Sequence, residues 1–137
     1  GPREEVAKYF GSYPSLANAT KFGTDGSGGK HTKDPRMRVC GAGVAVVGCV
    51  DGAFPVLGGL GASVGGAQTV PRAELTAVCL ALAVAVAPLV TIIVDASYIL
   101  RGVARGPKKT AFFSNPDLWD RFWRLVGKRG GGSHRGF

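Results

Sequence analysis

The 137-residue chain lacks any apolar run near the roughly 20 residues that a membrane-spanning helix requires, because charge or proline interrupts every candidate. The longest, residues 75–87 with Thr76 aside, is followed at once by Pro88. The opening decapeptide GPREEVAKYF holds no continuous apolar stretch of the secretory kind. Histidine occurs only at His31 and His134, and the three cysteines (Cys40, Cys49, Cys79) make no CxxC pair, which argues against a Cys/His zinc site. Three cysteines cannot close into an even set of disulfides. Reduced, mostly buried thiols in an intracellular protein, nuclear or cytoplasmic, are the expectation. The single methionine is Met37 and the first residue is Gly1, so the chain is expected to be processed or cut from something longer. Hydrophobic residues make up 45% and charged residues only 19%, which excludes a disordered tail and suits one domain with a real core.

Acidic residues are scarce: nine, against 17 Lys and Arg, for a net charge of +8. Residues 101–137 carry nine Lys/Arg against Asp117 and Asp120 alone, a net +7. Residues 1–38 hold seven Lys/Arg and four acids, whereas residues 39–100 hold only Asp51, Arg72, Glu74 and Asp95. An apolar middle is thus flanked by two basic ends. Such a surface suits a polyanionic partner, phosphates being the commonest, or simply keeps the chain soluble. No membrane partner is expected.

Periodicity divides the chain into a lead-in (residues 1–17), a domain (18–127) and a Gly-rich basic tail (128–137). ATKFGT (19–24) reads as a strand ending at Asp25-Gly26. A Gly-rich basic loop, 26–38, follows. VCGAGVAVVGCV (39–50) predicts a strand, Asp51-Gly52 a turn, and residues 54–64 a glycine-laden return, together an antiparallel meander. The period then changes. Pro71 suits a first helical position, and Leu75, Val78, Cys79, Leu82 and Val86 form an apolar stripe on a helix that stops before Pro88. VTIIV (90–94) predicts an interior parallel strand ending at Asp95, and residues 98–105 a short helix. Residues 106–114 read as a basic connector. Asn115 as N-cap, Pro116 at the first position and Asp117 at the positive end predict a helix over 116–126, with Leu118, Phe122 and Leu125 buried beside Trp119 and Val126. The order β-β-β-α-β-α-α is an α/β fold: three antiparallel strands and then a parallel one, with helices packed on the mixed sheet.

Three carboxylates occupy comparable places. Asp25 ends the first strand, Asp95 ends the fourth, and Glu74 lies in the first turn of the first helix. If the first and fourth strands are parallel neighbours, Asp25 and Asp95 emerge at one sheet edge, where open α/β sheets place ligands. Taken singly, Asp25-Gly26 is a turn, Glu74 complements a helix dipole and Asp95 caps a helix. Taken together, three converging carboxylates repel one another unless cations sit between them, and hard Mg²⁺ suits oxygen ligands, with Mn²⁺ the alternative. The chemistry such ions serve is attack of water on a phosphodiester.

TDGSGG (24–29), PRAELTAV (71–78), VDASYILRGV (94–103) and NPDLWDRFWRLV (115–126), in that order, resemble the type 1 ribonuclease H family over roughly 100 residues. The resemblance implies a hydrolase, an endonuclease that uses Mg²⁺ to cut the RNA strand of an RNA–DNA hybrid, with Asp25, Glu74 and Asp95 as three of four metal-binding and catalytic carboxylates. It implies further that Gly26, Ser27 and the segment from Gly41 to Gly43 bring backbone close to nucleic acid. The family's later strand, His-bearing loop and final helix with a fourth carboxylate find no match after Val126, and Ser133-His134 carries no role over. A monomeric domain truncated at its C-terminus is expected, one module of a retroelement polyprotein or of a larger nuclease. Lys108, Lys109, Arg121, Arg124 and Lys128 are candidates to grip phosphates. The competing expectation is a catalytically inactive module of the same fold that binds nucleic acid or acts as a connector. A protein-docking surface of exposed Trp119 and Trp123 is disfavoured, since aromatics at helical spacing usually belong to a core.

Overall fold

The meander forms, and it grows by one strand at either side. The computed structural model describes residues 7–10, 18–25, 42–47, 56–62, 69–94 and 96–129. Its strands are β1 (Ala7–Phe10), β2 (Lys21–Asp25), β3 (Ala42–Val47), β4 (Val56–Ala62) and β5 (Thr91–Ile93). Its helices are α1 (Val70–Val84), α2 (Ser97–Arg105), α3 (Pro107–Thr110) and α4 (Pro116–Lys128). The sheet runs β1-β4-β3-β2-β5, antiparallel throughout except for the parallel pair β2 and β5. The Gly-rich loop, the Asp51-Gly52 turn and the tail from residue 130 lie outside the described residues.

Two strand expectations change. Within the stretch read as a lead-in, β1 pairs with β4 from Ala7↔Ala62 to Phe10↔Gly59. β5 is parallel as expected but not interior: β2 is its one neighbour among the described residues. Thr91 and Ile93 are exposed while Ile92 is buried. In a three-residue strand side chains alternate between the two faces, so only the middle one turns to the core.

α1 packs on β2 and β3 with one side and on α4 with another. Phe22 of β2, Val44 of β3 and Ile92 of β5 meet its buried residues in one core with Phe122 and Val126 of α4. The expected stripe is therefore too narrow, because Ala73, every residue from Leu75 to Leu82, and Val84 are buried. A helix apolar nearly all round belongs between two layers. Its one buried hydroxyl, Thr76 Oγ1, donates to the Arg72 carbonyl at 2.8 Å, so no polar group is stranded. Val86, placed on the stripe by spacing, lies beyond the helix end, where Ala85 turns extended, and is exposed.

The helix start also shifts. Thr69 is the N-cap, its side chain accepting from the Arg72 amide at 3.4 Å, so Val70 is the first helical residue and Pro71 the second. Glu74 thereby falls just past the first turn rather than within it.

α2, α3 and α4 close around an aromatic cluster. Trp119 is 1% exposed and packs on Tyr98, Phe113, Phe122 and Trp123. The approach of α2 depends on Gly102: a Cβ there would stand 2.0 Å from the Trp119 ring. Trp119 is thus a core residue, as helical spacing suggested, and Trp123 is half-buried against the core. The basic connector contains α3, entered through Gly106 at φ 89°. α4 begins as expected but runs two residues further, taking in Lys128.

Candidate functional site

Parallel pairing sets the candidate site. Lys21, Phe22 and Gly23 of β2 lie in register with Thr91, Ile92 and Ile93 of β5, so both strands point their carboxyl ends to the same sheet edge. The Thr91 amide donates to the Thr20 carbonyl at 2.7 Å, and Thr24 Oγ1 donates to the Ile93 carbonyl at 3.4 Å, tying the pair at both ends. β2 ends at Asp25, whose antiparallel partner on β3 is Gly43. One expected carboxylate and one expected backbone contact are therefore neighbours. Asp95 lies outside the described residues, as do Gly26, Ser27, Gly41 and the side chain of Asp25. Helix α2 takes Ala96 as its N-cap, without a side-chain hydrogen bond, so Ser97 is its first residue rather than its cap.

Glu74 is half-buried on α1, the helix that lies on β2 and β3. Among the described residues no three His, Cys, Asp or Glu side chains gather into a metal-holding group. Of the three expected ligands, only the Glu74 side chain belongs to that set.

The end of α1 that bears Glu74 is held by a network that spacing did not foretell. Arg72 Nη1 and Nη2 donate to both carboxylate oxygens of Asp117 on α4, at 2.9 and 2.7 Å. This fork-to-fork geometry is the strongest form of the pair. The Arg72 hydrogen bond, ahead of all other influences, holds the Asp117 carboxyl below its ordinary value of 3.8. Arg72 also donates to Asn115 Oδ1 at 3.3 Å, and Asn115 Nδ2 donates to the Tyr98 hydroxyl at 3.4 Å. That hydroxyl also accepts from Trp119 Nε1 at 2.8 Å and donates to the Ser114 carbonyl. The network thus runs from Arg72, two residues before Glu74, to Tyr98, three residues after Asp95. Asn115 is the N-cap residue as expected, but its side chain makes no capping hydrogen bond: at φ 60° and ψ 49° it is left-handed, and its amide is committed to the network. Left-handed backbone is a conformation asparagine tolerates better than most residues.

The expected phosphate contacts divide. Lys108 and Lys109 are exposed on α3 and make no ion pair among the described residues. Arg124 is exposed but bound to Asp120 one turn earlier on α4, and Arg121 is half-buried. Lys128 is exposed at the end of α4. Among the described residues, an apolar cavity of about 240 Å³ lies between β5 and α2, lined by Val78, Ile92, Ile99 and Phe122 among others. Among the described residues that line it Glu74 does not appear.

Comparisons with protein-family models, with curated proteins and with solved structures find no match for this chain.

Proposed function

We propose that the chain is a ribonuclease H-like, metal-dependent endonuclease acting on the RNA strand of RNA–DNA hybrids. The observation that carries this reading is the parallel pairing of β2, which ends in Asp25, with β5, which directly precedes the segment containing Asp95. α1, the helix that carries Glu74, packs on β2 and β3 of the same sheet. The strand order β4-β3-β2-β5, with only the last pair parallel, agrees with the arrangement that the four sequence motifs imply.

Asp25, Glu74 and Asp95 would hold Mg²⁺ or Mn²⁺; an all-oxygen carboxylate set suits these hard cations. The bound ions supply neutralisation of the phosphodiester charge and activation of the attacking water. Arg72, by clamping α1 to α4 through Asp117, keeps the Glu74 end of α1 from drifting. Lys108, Lys109 and Lys128 offer phosphate contacts, and Arg121 and Arg124 can add to them; Arg124 does so by exchanging Asp120, an exposed partner of little energetic weight. Gly43, opposite Asp25, sits where backbone could approach the sugar edge of a minor groove, the place where RNA is told from DNA.

A labelled hybrid incubated with Mg²⁺ tests the reading. Wild type is expected to cut the RNA strand, and Asp25→Asn to bind the hybrid without cutting it. Binding without cleavage by either protein would replace the enzyme with an inactive nucleic-acid-binding module of the same fold.

A further inference from the structure

Residues 96–116 contain four cations and no acid. Arg101 and Arg105 lie one turn apart on α2 and are exposed, and Lys108 and Lys109 are exposed on α3, which packs against α2. None of the four makes an ion pair among the described residues, and the two carboxylates that follow them in sequence, Asp117 and Asp120, are bound to Arg72 and Arg124. Beside these cations Phe112 stands 91% exposed, the most exposed of the large apolar side chains described.

Single exposed apolar residues are ordinary, but Phe112 is displayed on a fixed support. Its amide donates to the Lys109 carbonyl at 3.1 Å, and the Phe113 amide donates to the Thr110 carbonyl at 3.1 Å. On one side Thr110 is fully buried; its hydroxyl donates to the Gly106 carbonyl at 3.0 Å and accepts from Trp123 Nε1 at 2.9 Å. On the other side Phe113 packs edge-on against Trp119 and tilted against Tyr98. Backbone pinned on both sides leaves little backbone freedom to lose when the ring is covered, so binding costs only the ordering of the ring itself.

We propose that Arg101, Arg105, Lys108, Lys109 and Phe112 form a platform for single-stranded nucleic acid. Cations along the ridge meet successive phosphates, and the ring stacks on one unpaired base. An isolated protruding ring has nothing to stack on within a duplex, whose bases already cover one another, whereas an unstacked base offers a bare face. The platform shares Lys108 and Lys109 with the proposed nuclease but needs no carboxylate and no divalent ion.

The test is fluorescence anisotropy of labelled oligouridylate and oligothymidylate with the full chain in excess EDTA. The absence of metal separates its outcome from that of the hybrid-cleavage assay. Phe112→Ala, at a side chain buried against nothing, is expected to melt like wild type and to bind either strand about five- to a hundredfold more weakly. Phe112→Trp is expected to retain binding. The double change Lys108→Gln, Lys109→Gln is expected to reduce the slope of log affinity against log salt by about 1.4. Affinity unchanged by Phe112→Ala would overturn the proposal, as would equal binding of polyglutamate, which would make the ridge a general anion surface.

Discussion

Helices α1 and α4 lie against each other and solve opposite problems. α1 buries ten of its fifteen residues because the sheet covers one side and α4 another. α4 buries four of thirteen, Leu118, Trp119, Phe122 and Val126, half-buries Arg121, Trp123 and Leu125, and exposes the rest. The inner helix can therefore carry charge only near its end, where Arg72 and Glu74 stand, since a charge further along would be desolvated and the one buried hydroxyl there, Thr76, is taken up by the Arg72 carbonyl. The outer helix carries charge along its whole free face. In this molecule a polar residue on an inner element is the exception that asks for a function, while a charge on the outer one asks for none.

The deepest break in that contrast comes from shortening a side chain where the two helices meet the sheet. Leu75→Ala on α1 is expected to cost about 2–5 kcal/mol and Phe122→Ala on α4 about 3–5 kcal/mol, both side chains being fully buried. Denaturant midpoints at unchanged slope would check both. A loss for Leu75→Ala no larger than that for Ala83→Ser at the exposed Ala83 would contradict a helix enclosed between layers.

A smaller effect is expected where the helix ends are pinned. Asp117→Asn should lose about 1 kcal/mol or less at neutral pH, because the Asp117 side chain is 63% exposed and its attraction to Arg72 is screened. The carboxyl titrates lower in the folded chain than in the unfolded one. Its stabilising contribution is therefore complete above the unfolded pKa, near 4, and disappears as pH falls through the folded pKa. Melting curves of wild type and Asp117→Asn are expected to differ at pH 7 and converge in acid. Arg124→Ala, which removes a pair exposed on both sides, should change stability by less than about 0.5 kcal/mol.

The same contrast explains what the sequence could disclose. α4 has one wet side and one dry, so Leu118 and Phe122 were legible as buried and Pro116 as its start, while Leu125, read as buried with them, is half-buried beside the buried Val126. α1 has no wet side long enough to set a period, so Leu75, Val78, Cys79 and Leu82 suggested a stripe where the helix is buried nearly all round. β5 betrayed its direction through β-branched residues, but not its edge position, which depends on how many strands flank it. β1 escaped notice because four residues, AKYF, carry too short a pattern; its place is set by the β4 backbone it pairs with. The cap at Thr69 and the left-handed Asn115 depend on where chain and side chain meet across the fold, as do the links from Arg72 to Asp117 and Tyr98. Of the candidate site, the ends of β2 and β5 were legible from strand period and the turn after Asp25. The clamp on α1 was not, since its partners lie more than forty residues apart.

The central claim is that Asp25, Glu74 and Asp95 together hold divalent cations, and calorimetric titration of the full chain with Mn²⁺ addresses it most directly. Saturable binding is predicted for wild type. It should weaken at least about tenfold in each of Asp25→Asn, Glu74→Gln and Asp95→Asn, since even the outer partners of a metal site are worth that much, and persist in Asp120→Asn. Identical isotherms for wild type and all three variants would contradict it.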